Sequence, residues 1–158
     1  MPAFLYKGKF IIAIIIASVL LLVGCTKTPT GPNAQLEAFF SSNVLNKNFV
    51  VDSASDSTTN LTNQYSKDTF ILQRDTSLQI DSSYYSGPLI GNANGVIYNG
   101  TWSSNYDYSK LVINFTAPFP LEFNFLSRAW RFIQKNFPIM QLSPWGSTDP
   151  KILYMRRL

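Results

Sequence analysis

Histidine is absent from this chain of 158 residues, and cysteine occurs once, as Cys25. Without histidine the usual Ser-His-Asp triad and almost every zinc site are excluded. A lone cysteine leaves no intramolecular disulfide to staple the fold. The catalytic device still open is a carboxylate pair, for which the candidates are Asp52 with Asp56 and Asp75 with Asp81. Both pairs lie in Ser/Thr-rich stretches that read as turns, where Asp bonds its own backbone. The run Asp52 to Asn60 also lacks the central glycine and closing glutamate of an EF-hand loop. The reading is of a protein that is not an enzyme and uses no metal and no cofactor. Basic side chains are scattered, with Arg156-Arg157 the sole adjacent pair, so nucleic acid is not an expected partner.

A long hydrophobic run is also missing. Phe10 to Val23 is unbroken but covers only 14 residues, about 21 Å as a helix. A bilayer core of roughly 30 Å needs about 20 apolar residues. Lys7 and Lys9 precede the run, small residues close it, and the pattern is that of a secretory signal. Leu22-Val23-Gly24-Cys25 resembles the lipobox of bacterial lipoproteins. That resemblance implies cleavage after Gly24 and lipidation of Cys25, which becomes the first residue of a mature chain anchored in a membrane. Residues 1–24 are then the signal peptide, and the breaker-rich residues 25–34 a flexible tether. Thr26 after the cysteine resembles outer-membrane sorting, which implies lipid anchoring in the bacterial cell envelope, at the outer membrane. Removing residues 1–24 leaves 134 residues with 11 basic and 9 acidic side chains. This is enough for one domain with its own core. An acylated Cys25 leaves no thiol to act as a nucleophile.

What the mature region has in abundance is aromatic residues, with 10 of the chain's 12 Phe, 7 of its 8 Tyr and all 3 Trp, set among Ser, Thr and Asn. That composition favours sheet. In Lys110 to Thr116, Leu111, Ile113 and Phe115 alternate with Val112, Asn114 and Thr116, the period of a strand with one buried face. Gly95 to Ser103 places Val96, Tyr98, Gly100 and Trp102 on one side and reads as a continuous strand through Asn99-Gly100. Shared faces are also expected for Phe70 with Leu72, Leu78 with Ile80, Leu121 with Phe123 and Phe125, and Trp130 with Phe132. Ile152 to Arg157 closes the pattern. Gln35 to Phe40 is the exception, a short helix with Leu36, Phe39 and Phe40 on one face. Breakers are expected at Gly87-Pro88, Gly91 to Gly95, Pro118 to Pro120, Pro138 and Pro144 to Pro150. Seven to nine short strands indicate an all-β sandwich or barrel, and closure would remove exposed edges.

The order of Asn48-Phe49-Val50-Val51, Lys67-Asp68-Thr69-Phe70-Ile71-Leu72, Gly100-Thr101-Trp102-Ser103, Phe125-Leu126-Ser127-Arg128-Ala129-Trp130 and Ile152 to Arg157 resembles the small lipocalin-like lipoproteins of Bacteroidetes. It covers residues 44–158. Phe49 stands where such proteins often carry Trp, and Leu121 to Phe125 is unusually apolar. The resemblance implies a small antiparallel barrel of about eight strands over residues 35–158.

Such a barrel is just wide enough inside for side chains or one small ligand. The side chains expected to line it are Phe70, Leu72, Trp102, Ile113, Phe115, Phe123 and Trp130, as a site for a small hydrophobic ligand or as core. The competing expectation is an envelope protein-interaction, inhibitor or accessory-subunit module with a filled core. Tyr84-Tyr85, Tyr106, Tyr108 and Trp145 are its candidate surface anchors.

Overall fold

The structure, a computed structural model, describes residues 33–77, 85–134 and 138–158. Cys25, Leu78, Ile80, Asp81 and Tyr84, with the signal segment and nearly all of the tether, lie outside the described residues. Tertiary contacts divide the chain into Met1–Thr30 and Gly31–Leu158, and the second unit is the one described.

Helix α1 (Ala34–Asn43) opens with Ala34, Gln35, Leu36, Glu37 and Ala38, mostly strong helix formers. The side chains of Ser42 and Asn43 bond back to the Ala38 and Phe39 carbonyls. Asn46, at φ 57°, then turns the chain into the left-handed region that Asn tolerates. Of the three apolar residues expected on one face, Phe40 alone is buried, while Leu36 and Phe39 stay exposed.

The strands are β1 (Asn48–Asp56), β2 (Thr59–Asn60), β3 (Thr69–Leu72), β4 (Ser86–Ala93), β5 (Val96–Ser104), β6 (Lys110–Phe115), β7 (Ala129–Gln134), β8 (Ile139–Pro144) and β9 (Lys151–Arg157). From β3 to β9 each pairs with the next, all antiparallel. β1 pairs with β3 on one side and β9 on the other, which closes an eight-stranded antiparallel barrel. The two-residue β2 only extends the tip of β1. The small lipocalin-like barrel expected from the sequence is the observed architecture.

The burial pattern of β1 shows how sequence and register agree. Phe49 and Val51 point inward, and the next inward residue is Ala54 rather than Ser53. Between Val51 and Ser53 the ladder with β9 slips by one residue, leaving Asp52 as a bulge. A bulge inserts one residue and shifts the in-out alternation, so Val51 faces Met155 and Ala54 faces Leu153, all buried.

Paired inward residues form layers around the barrel. Phe49, Phe70, Gly91 and Tyr98 are successive cross-strand partners, as are Leu72, Leu89, Gly100 and Phe115. Trp102 faces Ile113, Leu111 faces Trp130, and Met140 faces Met155. β5 runs unbroken through Asn99-Gly100, as expected.

Four expectations are corrected. Gly87, Pro88 and Gly91 are not breakers but part of β4. Pro88 lies beyond the last β3–β4 pair, Leu72 with Leu89, where no partner strand needs its missing N–H. Pro144, expected as a breaker, is the last residue of β8, in which Met140 and Leu142 are buried. Phe123 and Phe125 belong to the one-turn helix α2 (Phe123–Leu126), not a strand. Asp52 and Asp56 are strand residues, the turn being at Ser57 (φ 55°).

Candidate functional site

The seven side chains singled out in the sequence, Phe70, Leu72, Trp102, Ile113, Phe115, Phe123 and Trp130, are all buried in the core. The five aromatic ones divide between two ring clusters, while Leu72 faces Leu89 and Ile113 faces Trp102 across the ladders.

At the mouth crossed by α1, Phe40 stacks on Tyr108 with centroids 4.5 Å apart and leans on Trp102 at 5.6 Å. Phe132 meets Phe40 edge-on at 6.4 Å. The indole N–H of Trp102 donates to the Gln73 carbonyl at 2.7 Å, which satisfies the one polar atom this ring carries inward. Tyr85 stacks on both Tyr106 and Tyr108, at 5.6 and 5.2 Å. Tyr108 is therefore core and not the surface anchor its sequence position suggests. Tyr106 remains exposed, and Trp145 is partly exposed with Lys110 and Arg131 over its ring at 5.5 and 5.6 Å.

At the opposite mouth α2 turns Phe123 inward onto Phe115 (4.4 Å), Phe70 (5.4 Å) and Tyr98 (5.6 Å). Gly91 lies beneath these rings. A Cβ there would come within 2.8 Å of Phe115 and 2.9 Å of Phe123, closer than carbon atoms tolerate. The space is already taken by protein. Trp130 packs on Phe125 at 5.5 Å and donates its N–H to the Leu126 carbonyl at 2.9 Å. Arg128 spans both rings and is tied to the Phe125 carbonyl.

Among the described residues the one buried charged side chain is Asp68. Asp68, Phe70 and Leu72 share the inward face of β3 and its lead-in. Asp68 is 3 % exposed, and its Oδ2 is buried with no hydrogen-bond partner. Burial, and then the nearby Glu122 carboxylate, raise its carboxyl to a pKa of about 6. Beside it stands Tyr65, the last residue of a 3₁₀ turn (Thr62–Tyr65), whose hydroxyl donates to the Glu122 carbonyl at 2.6 Å. Burial keeps that phenol protonated far above its ordinary range, with Glu122 and Asp68 adding to the effect. Sequence reading passed over Asp68, although its spacing of two from Phe70 and four from Leu72 carried the signal.

The carboxylates first considered for catalysis are engaged elsewhere. Asp52 accepts from Arg156 at 2.9 Å, and Asp56 pairs with Lys151 at 3.1 Å, both across the β1–β9 seam. Lys151 also binds Asp149 at 2.7 Å; those bonds, Asp149 first, raise its pKa. Asp75 accepts from Ser77 in the turn expected of it. Among the described residues no cluster of three or more acidic, His or Cys side chains could hold a metal ion. Comparison with protein-family models, curated proteins and solved structures returns no match to this chain.

Proposed function

We propose that this protein is a bacterial envelope lipoprotein, held in the outer membrane by lipidated Cys25, that presents its lipocalin-like barrel as a rigid interaction module. The observation that carries the choice of module is Gly91, which has no room even for a methyl group between Phe115 and Phe123. Together with the stacked layer at the α1 mouth, it supports an interior built as core. Eight-stranded barrels of this width hold either side chains or one small ligand, and here side chains fill the two mouths.

The working surface is then the outside. Leu121, Ile97 and Val96 are 85, 63 and 52 % exposed, and Tyr106 55 %. Exposed apolar and tyrosine side chains of this kind serve as anchors at interfaces. No catalytic chemistry enters this reading.

A hydrophobic ligand is the second reading, favoured by the inward Asp68, a polar atom without a partner at an aromatic mouth. Crosslinking in intact cells separates the two. One stoichiometric protein partner, lost on Leu121→Ser with Ile97→Ser, supports the module. Recovery of the protein alone with a bound small molecule supports the ligand.

A further inference from the structure

The connection from β6 to β7, residues 116–128, caps the α2 mouth and is tied at its ends, where the Thr116 N–H donates to the Asn99 carbonyl at 2.9 Å and the Ile113 N–H to the Arg128 carbonyl at 3.0 Å. Phe123, Phe125 and Leu126 plug the mouth. The Phe115 N–H reaches the Ser127 hydroxyl only at 3.4 Å. Between its ends the connection is held to the barrel by the Trp130 indole N–H on the Leu126 carbonyl, at 2.9 Å, and by the Tyr65 hydroxyl on the Glu122 carbonyl, at 2.6 Å. Asp68, whose Oδ2 is buried without a hydrogen-bond partner, interacts electrostatically with both ends of that last bond.

Each element around Asp68 contributes its charge. On the cap, Glu122 is the charged group that acts on it. The 3₁₀ turn offers Tyr65, which remains a neutral donor. Arg128 acts on Tyr65 but is committed to the Phe125 carbonyl and, at 3.9 Å, to Asp149. The acids of neighbouring β1, Asp52 and Asp56, are paired with Arg156 and Lys151. No cation compensates Asp68 among the described residues.

We infer that Asp68 is a proton-operated latch on this cap: neutral Asp68 lets residues 116–128 seat on the barrel, and ionised Asp68 loosens them. Two forces act in the same direction. A carboxylate buried without partners carries a large desolvation cost, and it repels Glu122 on the cap. Lifting the cap relieves both by admitting water to Asp68 and moving Glu122 away. Mild acid therefore closes the α2 mouth and neutral pH loosens it, whatever the barrel binds.

Hydrogen exchange measured by mass spectrometry on the full protein at pH 4 and pH 7.5 tests this. After correction for intrinsic exchange, protection across 116–128 should be tenfold or more weaker at pH 7.5, with β8 and β9 unchanged. In Asp68→Asn the two pH values should give equal protection. Equal protection in the wild type, persistence of the difference in Asp68→Asn, or an equal change in β8 and β9 overturns the latch. Should Asp68→Asn fail to fold, NMR titration of the wild type decides. The Asp68 carboxyl and the cap amides must share one midpoint, and separate midpoints refute the coupling.

Discussion

Gly91 sets the tolerance of the barrel wall at the scale of single residues. Its missing side chain is the space into which Phe115 and Phe123 close, so Gly91→Val is overpacking by design. We expect a loss of about 2–3 kcal/mol in urea unfolding, in the range of core overpacking, with the midpoint moved and the slope kept. Asp68 gives the opposite kind of test. Its folded pKa, about 6, lies above the unfolded value near 3.8. The folded state then holds its proton more tightly, and the stability this gives is complete below about pH 4. It is lost as pH rises through 6. Denaturation between pH 4 and 7.5 should show stability falling by roughly 1–3 kcal/mol, screening at the mouth reducing the full shift. Asp68→Asn should flatten that fall. A wild-type curve rising over the same interval would reverse the sign and refute the assignment.

At the scale of elements, Phe40 is the one side chain that α1 buries. Phe40→Ala removes a ring packed on Trp102, Tyr108 and Phe132 and should cost about 3–5 kcal/mol. Leu36→Ser, on the exposed face, should change thermal unfolding by less than about 0.5 kcal/mol. The seam ion pair of Asp52 with Arg156 is exposed on both sides, and its removal should matter by no more than about 1 kcal/mol. Elements with clean alternation were legible beforehand: Lys110 to Phe115, the continuous β5, and β3. β4 was not, because Gly87, Pro88 and Gly91 look like punctuation until the rings filling the glycine space are seen. β8 hides behind Pro138 and ends on Pro144, with Met140 and Leu142 as the apolar side chains that mark its buried face. Phe123 and Phe125 mislead because a spacing of two over four residues fits a strand or one helical turn equally well. Asp68 is overlooked for a different reason: its spacing puts it on the face of Phe70 and Leu72, but a charged residue at a strand entry ordinarily faces water.

For the whole molecule, a closed barrel has no free edge to pair with another chain. Specific contacts must then come from exposed side chains such as Leu121 and Ile97 rather than from strand addition. The proposed anchor makes a separate demand: Cys25→Ala should shift the protein from the envelope membrane to the soluble fraction without altering its unfolding midpoint. Anchor and filled barrel together meet one measurement, native mass spectrometry of the protein extracted gently from its own envelope. The account predicts the mass of residues 25–158 plus covalent lipid on Cys25, with no further small molecule released on unfolding. An unmodified Cys25, or an apolar molecule bound one to one and freed when the barrel opens, would contradict it.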